Sequence, residues 1–222
     1  MTPVDAPTAP KTRRTQEERR STSERALASA AVEIMKQKGV AGLTLAEVAA
    51  AAGVSKGLVV HLYGNKQGLQ LAALNHMRNA FTKRFHAEEQ NAKGLTLIRD
   101  YMRNILDSIG SQNSNARVFS ALLSEAIYQD KTFAQAVAAM NSSTIQFVRG
   151  CLEFEREQGR RFIDENLDNL ATYIVASLRG IAQVNAIHMA ASDGLPIDVE
   201  ALLQLAEDLL DKMVIKTGRR KR

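Results

Sequence analysis

Tryptophan is absent from the 222 residues, aromatic residues make up only 5%, and the chain holds a single cysteine, Cys151. One cysteine excludes an intramolecular disulfide and is typical of a reducing compartment. Proline is almost as scarce, since three of the four lie before residue 11 and the last is Pro196. No proline therefore interrupts a helix between residues 11 and 195. With alanine and leucine abundant, these absences predict an all-α protein.

Membrane and targeting signals are also lacking. No apolar run approaches the ~20 residues needed to span a bilayer. The N-terminal stretch MTPVDAPTAPKTRR has no apolar segment after its charges and does not fit a secretory signal. Because 45% of the residues are apolar, the chain can bury a sizeable core. We expect a soluble cytoplasmic protein with no membrane partner.

Patterns typical of catalysis or metal binding are missing as well. The four histidines, at positions 61, 76, 86 and 188, show no metal-ligand spacing with carboxylates or with the cysteine. Cys151 has no evident base partner, and the acidic run EFERE (153–157) is typical of an exposed helical face. We expect no enzymatic activity, no cofactor and no metal site.

Charge is unevenly distributed around the net value of +5. Residues 1–66 carry ten basic and six acidic side chains, and residues 67–210 carry thirteen and seventeen. Residues 211–222 carry six and one. Basic ends on a mildly acidic body favour a polyanionic partner at one part of the molecule. Solvated termini that bind nothing are the alternative.

Helical periodicity and capping signals divide the chain into about nine helices. The first begins at Thr15 or Ser21 and ends at Gly39; the second is LAEVAAAA, and the third ends near Leu62. The remaining predicted helices cover residues 66–91, 95–109, 116–129, 132–158, 163–191 and 198–215.

Residues 44–63 form a unit of two short helices joined by a tight turn. Such helices pack at a steep angle, so their contact requires small side chains, which Ala49 supplies. Gly53 lies where the chain reverses and can adopt a positive φ. Val48 and Val59 fall on the inward faces. This spacing is that of a helix-turn-helix, whose second helix enters the DNA major groove.

The polar residues around this unit fit the same interpretation. Thr44, Ser55 and Asn65 cap three helix starts and leave N–H groups and a positive dipole end for phosphate. Lys56 and His61 extend from the second helix, His61 on the side away from Leu58 and Leu62. Each residue alone is an ordinary cap or surface side chain; together they predict DNA binding. The predicted DNA-contacting residues are Thr44, Ser55, Lys56, Gly57, Leu58, His61, Tyr63, Asn65 and Lys66.

The stretch TLAEVAAAAGVSKGLVVHLYGNKQGL resembles the N-terminal domain of the tetracycline-repressor (TetR) family of bacterial regulators. The similarity covers about residues 20–74, a quarter of the chain. It includes the KG that ends the first helix, the AGVSKG turn, the H-x-aromatic at His61 and Tyr63, and the K-x-x-L at Lys66 and Leu69. The glycine-rich ending is closer to that of BetI-type members than to the family average, which is not enough to infer a ligand.

The second helix departs from the family pattern. The family sequence is similar to SKGTLYHYF, whereas this chain has SKGLVVHLY. Leu58 replaces a threonine, and Val60 and Leu62 replace two tyrosines, so the resemblance does not carry over two phosphate contacts typical of the family. We expect methyl contacts to thymine, together with His61 and Lys56, to contribute to sequence readout.

The resemblance implies four regions: a disordered basic leader (1–19), the helix-turn-helix domain (20–65), a helical effector-binding and dimerisation domain (66–215) and a basic tail (216–222). It also implies a homodimer formed through the last two helices. That dimer would bind a palindromic operator and repress transcription until a small effector enters the core. A constitutive DNA-binding protein and an activator of the same fold remain alternatives.

Apolar stripes on the later helices indicate where the effector and the partner would lie. Few charges fall on them, so we expect a small, mostly apolar effector in a pocket lined by helices five to eight. The predicted pocket residues are Tyr101, Phe119, Met140, Thr144, Phe147 and Tyr173, although Thr144 is more typically satisfied by its own helix. The predicted dimer-interface residues are Gly180, Val184, Leu202, Leu209 and Met213.

We expect different roles for the two basic termini. The arm with Lys11, Arg13, Arg14, Arg19 and Arg20 could reach along the duplex or into a minor groove, or be a solvated leader. The tail TGRRKR projects from the far end of the core in this fold, so we expect it to contribute solubility.

Overall fold

The computed structural model describes residues 16–88, 93–109, 114–191 and 198–215. Within these ranges the chain forms nine helices and two very short strands, so the all-α class is confirmed. The predicted leader and tail lie almost entirely outside the described residues, as do Lys11, Arg13 and Arg14 of the basic arm. The elements are α1 Gln16–Lys38, α2 Leu45–Ala51, α3 Lys56–Tyr63, α4 Lys66–Glu88, α5 Leu95–Ile109, α6 Asn115–Ala126, α7 Lys131–Glu157, β1 Arg161–Phe162, α8 Leu167–Ala190, α9 Val199–Met213 and β2 Val214–Ile215.

The first three helices form the predicted helix-turn-helix unit. The direction of the chain changes by 118° between α2 and α3, within the range of about 90–120° typical of this motif. Val48 and Val59 are completely buried where the two helices meet α1. Gly53 has φ +66° at the reversal, a conformation that glycine adopts without strain.

A short, closely packed connection joins α3 to α4. Gly64 ends α3 with φ +72°, and the Asn65 side chain accepts a hydrogen bond from the Gly68 amide at 3.0 Å. A Cβ at Gly68 would lie 2.0 Å from the Tyr63 carbonyl oxygen. Only glycine therefore permits this approach of α4 to the end of α3, so the two helices are held closely together.

Two hydrophobic clusters form the core. One joins α1, α2, α3 and the first half of α4 to Val118, Leu122, Phe133 and Val137 of α6 and α7. The other joins the second half of α4 to α5, α8, α9 and the later part of α7. The apolar core of the first 65 residues thus continues into α6 and α7.

The start of α8 and the end of α9 differ from the sequence prediction. Residues 161–162 and 214–215 pair as antiparallel strands, with Arg161 opposite Ile215 and Phe162 opposite Val214. Phe162 is buried by this pairing. The Asn166 side chain caps α8 by accepting a hydrogen bond from the Asp168 amide at 3.0 Å. The predicted helix 163–191 is therefore too long, because backbone pairing between distant segments opposes helix formation at 161–166.

The prediction that the acidic run 153–157 lies on an exposed helical face is wrong for Glu155. Glu155 is buried, with 8% exposure. One of its carboxylate oxygens accepts a hydrogen bond from the Leu95 amide at 2.9 Å, and the other contacts Arg160 Nε at 2.6 Å. Glu155 therefore satisfies a free N–H group at the start of α5.

Among the described helices, the 24-residue α8 is long and apolar enough to cross a membrane by length and composition alone, a property that core helices of globular proteins share. Its inner face carries Leu170, Ile174 and Leu178, which are buried in the core. Its outer face includes the exposed apolar residues Val184 and Ile187. The apolar character of α8 is therefore divided between the core and an uncovered surface.

Candidate nucleic-acid interface and ligand cavity

Helix α3 presents a mixed polar and apolar outer face. Its N-cap Ser55 accepts a hydrogen bond from the Leu58 amide at 3.2 Å. Lys56, Gly57 and His61 are exposed, and the nearest atom to a Cβ on Gly57 would be Ser55 Oγ at 3.9 Å. The backbone at Gly57 is therefore open to close approach by a large ligand.

Two apolar side chains lie on the same exposed surface. Leu58 is 36% exposed and Val60 is 43% exposed. The prediction that Leu58 lies on a buried side, away from His61, is therefore wrong. Val59 occupies the buried position instead. Exposed methyl groups beside a cation can contact the thymine methyl in a major groove.

The predicted caps Thr44 and Asn65 are both engaged as helix caps. Thr44 Oγ1 accepts from the Glu47 amide at 3.2 Å and donates to the Glu47 carboxylate at 3.0 Å. The neighbouring Lys38 ammonium, and secondarily Thr44, hold the pKa of Glu47 below its usual value. Asn65 caps α4 through the Gly68 amide, as described above. The other N–H groups of each first turn have no partner within their own helix.

Tyr63 and Lys66 contact other parts of the first domain. The Tyr63 hydroxyl donates to the Glu24 carbonyl of α1 at 3.1 Å, and burial raises its pKa. Lys66 Nζ donates to the Ala41 carbonyl at 2.6 Å. Both side chains thus attach the junction between α3 and α4 to earlier parts of the domain, Tyr63 to α1 and Lys66 to the turn between α1 and α2.

A cavity of about 310 Å³ lies in the helical body, between α4, α5, α6, α7 and α8. Tyr101, Phe119, Met140 and Thr144 line it. Phe147 lies behind this wall, with its ring centroid 4.9 Å from that of Phe85. Tyr173 does not line the cavity, because it lies on the outer surface of α8 with 56% exposure.

Two parts of the cavity wall were not predicted. One is α4, which contributes Met77, Phe81 and Arg84. The other is Arg179 of α8. The sequence does contain a signal for Arg179, since it lies four residues after Val175 and eight after Ala171, which are both buried. Positions four residues apart share one helix face.

Arg179 is partly buried among aromatic and hydroxyl groups. Its Nη2 donates to Thr144 Oγ1 at 3.1 Å, and its guanidinium carbon lies 4.9 Å from the centre of the Phe119 ring. Burial lowers the pKa of Arg179, and its contact with Tyr101 opposes that shift. The Thr144 hydroxyl also donates to the Met140 carbonyl, the local bond anticipated from the sequence.

An uncovered apolar surface runs along α8 and α9. Its exposed residues are Tyr173, Val184, Ile187, Leu205 and Leu209. Gly180 lies in the same row of α8, and a Cβ at this position would meet no side chain of the described residues within 4 Å. Two predicted interface residues are placed differently: Leu202 is half-buried against the core, and Met213 is buried at 9% exposure.

These features define a class of protein. A helix-turn-helix with Lys56 and His61 exposed on its second helix is followed by a helical body with a partly open cavity, which is the organisation of a DNA-binding regulator with a ligand-sized pocket. Across the described residues, no group of three or more histidine, cysteine or acidic side chains is placed to hold a metal ion.

Comparison with known proteins agrees with this class. Residues 27–73 match the family model described as bacterial regulatory proteins, tetR family. The HTH-type transcriptional regulator BetI of Paraburkholderia phymatum is 27% identical over 187 residues, which span 82% of this chain and 88% of that relative. The chain is therefore similar to TetR-family regulators over the helix-turn-helix, and to BetI over most of its length.

Solved structures share the whole fold. E. coli NemR in its reduced form superposes with a TM-score of 0.72 at 18% identity, over 89% of this chain and 99% of that one. A transcriptional regulator from Saccharomonospora viridis in complex with choline gives a TM-score of 0.69 at 16% identity, over 88% and 99%. At these identities the likeness establishes the fold.

Proposed function

We propose that this protein is a cytoplasmic transcriptional repressor whose binding to a palindromic operator is released by a small-molecule effector. The observation that carries the proposal is the path of α4. Its first turn packs against the end of the reading helix at Gly68, and its later turns line the cavity with Phe81 and Arg84. A ligand in the cavity therefore contacts the helix that positions α3.

Hydrogen bonds also connect α4 to α6 and α7 in the rest of the helical body. Gln67 donates to Asp130 at 2.8 Å, at the start of α7, and Gln70 donates to Glu125 at 2.9 Å, in α6. Both helices also line the cavity. An effector that binds better to one arrangement of α4, α6 and α7 shifts the population toward it.

We propose that DNA is contacted by the outer face of α3 and by the helix starts around it. Lys56 and His61 would reach phosphates or base edges, Gly57 would allow close backbone approach, and Leu58 would contact thymine methyl groups. Thr44, Ser55 and Asn65 would present helix N-termini to phosphates. The described contacts of Tyr63 and Lys66 favour a role in holding this face in position.

The operator would be palindromic because we propose a homodimer. The exposed apolar surface on α8 and α9 is the kind that a partner covers, and Gly180 allows close helix approach. Two reading helices related by a twofold axis would enter successive major grooves about 34–36 Å apart. In this proposal residues 20–65 form the DNA-binding domain, and residues 66–215 form the effector-binding and dimerisation domain.

A gel-shift assay with the intergenic DNA beside its own gene tests the proposal. We expect the wild-type protein to retard this DNA, and a His61→Ala variant to bind it more weakly at an unchanged melting temperature. Retained affinity in the variant would show that α3 is not the reading helix. A thermal-shift screen that finds no stabilising small molecule would favour a constitutive DNA-binding protein, and ligand-enhanced transcription would favour an activator.

A further inference from the structure

We propose that the cavity binds an organic anion, a carboxylate on a compact apolar body, with Arg179 as the partner of the carboxylate. This inference rests on the proposed function, because it names the chemical class of the effector. It departs from the mostly apolar effector that the sequence suggested, and from a choline-like cation.

The charge of the cavity wall is the first argument. Arg84 and Arg179 both line it, and no aspartate or glutamate is among the described lining residues. The other polar side chains of the wall are neutral amides and hydroxyls, including Asn104 and Ser108. The described wall therefore contains cationic groups and no described carboxylate, and in a partly enclosed site of reduced dielectric the charge of Arg179 acts strongly on a ligand.

The environment of Arg179 is the second argument. Among the ion pairs of the described residues, none involves Arg179. Its described polar contacts are with the hydroxyls of Thr144 and Tyr101. A guanidinium carries five N–H donors in a planar fork that matches a carboxylate. A partly buried charge without a counter-ion is costly, and a carboxylate ligand would relieve that cost.

The remainder of the wall defines the rest of the ligand. Met77, Phe81, Phe85 and Met140 provide an apolar surface opposite the polar groups. The volume of about 310 Å³ lies at the lower end of the roughly 300–1,000 Å³ range of ligand pockets. An aromatic acid or a medium-chain aliphatic acid has the required combination of one anionic group and a compact apolar body.

Aromatic rings can also attract cations, so a quaternary ammonium ligand must be weighed. Here the Phe119 ring already faces a cation, since the Arg179 guanidinium lies over it. The Phe85 ring likewise has the Arg84 guanidinium 5.8 Å from its centroid. A cationic ligand would bring a further positive charge next to the partly buried Arg179 guanidinium. The described geometry therefore favours an anion.

The test uses two probe series, each with one apolar body and three head groups. They are octanoate, 1-octanol and octyltrimethylammonium, and benzoate, benzyl alcohol and benzyltrimethylammonium. Binding to the full-length protein is measured by calorimetry and thermal shift. We expect at least one carboxylate to bind at least tenfold more tightly than both its alcohol and its ammonium analogue. If neither carboxylate shows this preference, or if no probe binds, the inference is overturned.

Variants of Arg179 localise the effect. We expect Arg179→Gln to weaken carboxylate binding at least about tenfold, the scale of a lost charge-assisted hydrogen bond, and Arg179→Lys to retain part of it. Arg149→Gln is the control, because Arg149 pairs with Glu153 and Asp168 on the surface. Unchanged carboxylate affinity in folded Arg179→Gln would overturn the inference. If that variant does not fold, the comparison of Arg179→Lys with wild type decides.

Operator release separates the two proposals. If a carboxylate binds through Arg179 but leaves the protein on DNA, the anion site stands and ligand-released repression fails. If only a neutral or cationic probe releases the DNA, repression stands and the anion site fails.

Discussion

Lys56 and Lys66 flank the same short helix, and the sequence alone treats them as equivalent phosphate ligands. The structure distinguishes them, because Lys56 is exposed on α3 whereas Lys66 Nζ donates to the Ala41 carbonyl. Counting cations along a motif cannot show which of them is already engaged inside the domain. Arg179 illustrates the same limit: its helical position places it on the buried face, but only the packing of five helices shows that it lines a cavity.

This difference predicts opposite outcomes for two alanine variants. We expect Lys56→Ala to weaken operator binding and to reduce the slope of log K against log salt by about 1, with stability unchanged. We expect Lys66→Ala to lower the free energy of unfolding by roughly 1 kcal/mol, because the Ala41 carbonyl loses its donor. Fluorescence anisotropy at several salt concentrations and urea unfolding measure the two effects. A smaller salt slope for Lys66→Ala than for Lys56→Ala would contradict this assignment.

At the scale of elements, helices with local start signals were predictable. Thr44, Ser55 and Asn65 each cap the helix that the sequence assigned to them. The predicted ends of helices are wrong where contacts between distant segments determine where an element begins or ends. Residues 161–162 read as the approach to a helix, yet pairing with residues 214–215 makes them a strand. Glu155 was expected on an exposed face, and the loop at Gly94 brings an amide of α5 to its carboxylate.

The contact between Gly94 and Glu155 predicts an unusually sensitive glycine. Gly94 has φ +59°, and a Cβ there would lie 1.9 Å from a Glu155 carboxylate oxygen. Gly159 has φ +86° with nothing within 4 Å, so it is a matched control for backbone strain alone. We expect Gly159→Ala to cost about 1–2 kcal/mol, and Gly94→Ala to cost more because Glu155 must move off the Leu95 amide. Equal losses in urea unfolding would show that this overlap has no energetic consequence.

At the scale of the whole molecule, the apolar surface on α8 and α9 connects the fold to the proposed mode of DNA binding. The apolar stripes of both helices were readable from the sequence, and so was the expectation that a partner would lie against them. Which residues remain uncovered was not, because Met213 and Leu202 pack inward while Leu205 and Leu209 face outward. Apolar residues on more than one face of a helix indicate that the helix packs against two partners. They do not show which row of residues packs against the core and which remains exposed.

Because of this surface, we predict that a single introduced charge prevents dimerisation without unfolding the monomer. Leu209 is 41% exposed, so Leu209→Glu should leave the monomer folded while placing a carboxylate in the proposed interface. Ile127 is 77% exposed in the turn after α6, and Ile127→Glu provides the control for an added surface charge. We expect Leu209→Glu to sediment as a monomer with unchanged helical content, and Ile127→Glu to sediment as a dimer. The monomer should bind the full operator at least tenfold more weakly, because the second half-site no longer benefits from effective concentration. A dimeric Leu209→Glu protein with wild-type operator affinity would place the interface on another surface.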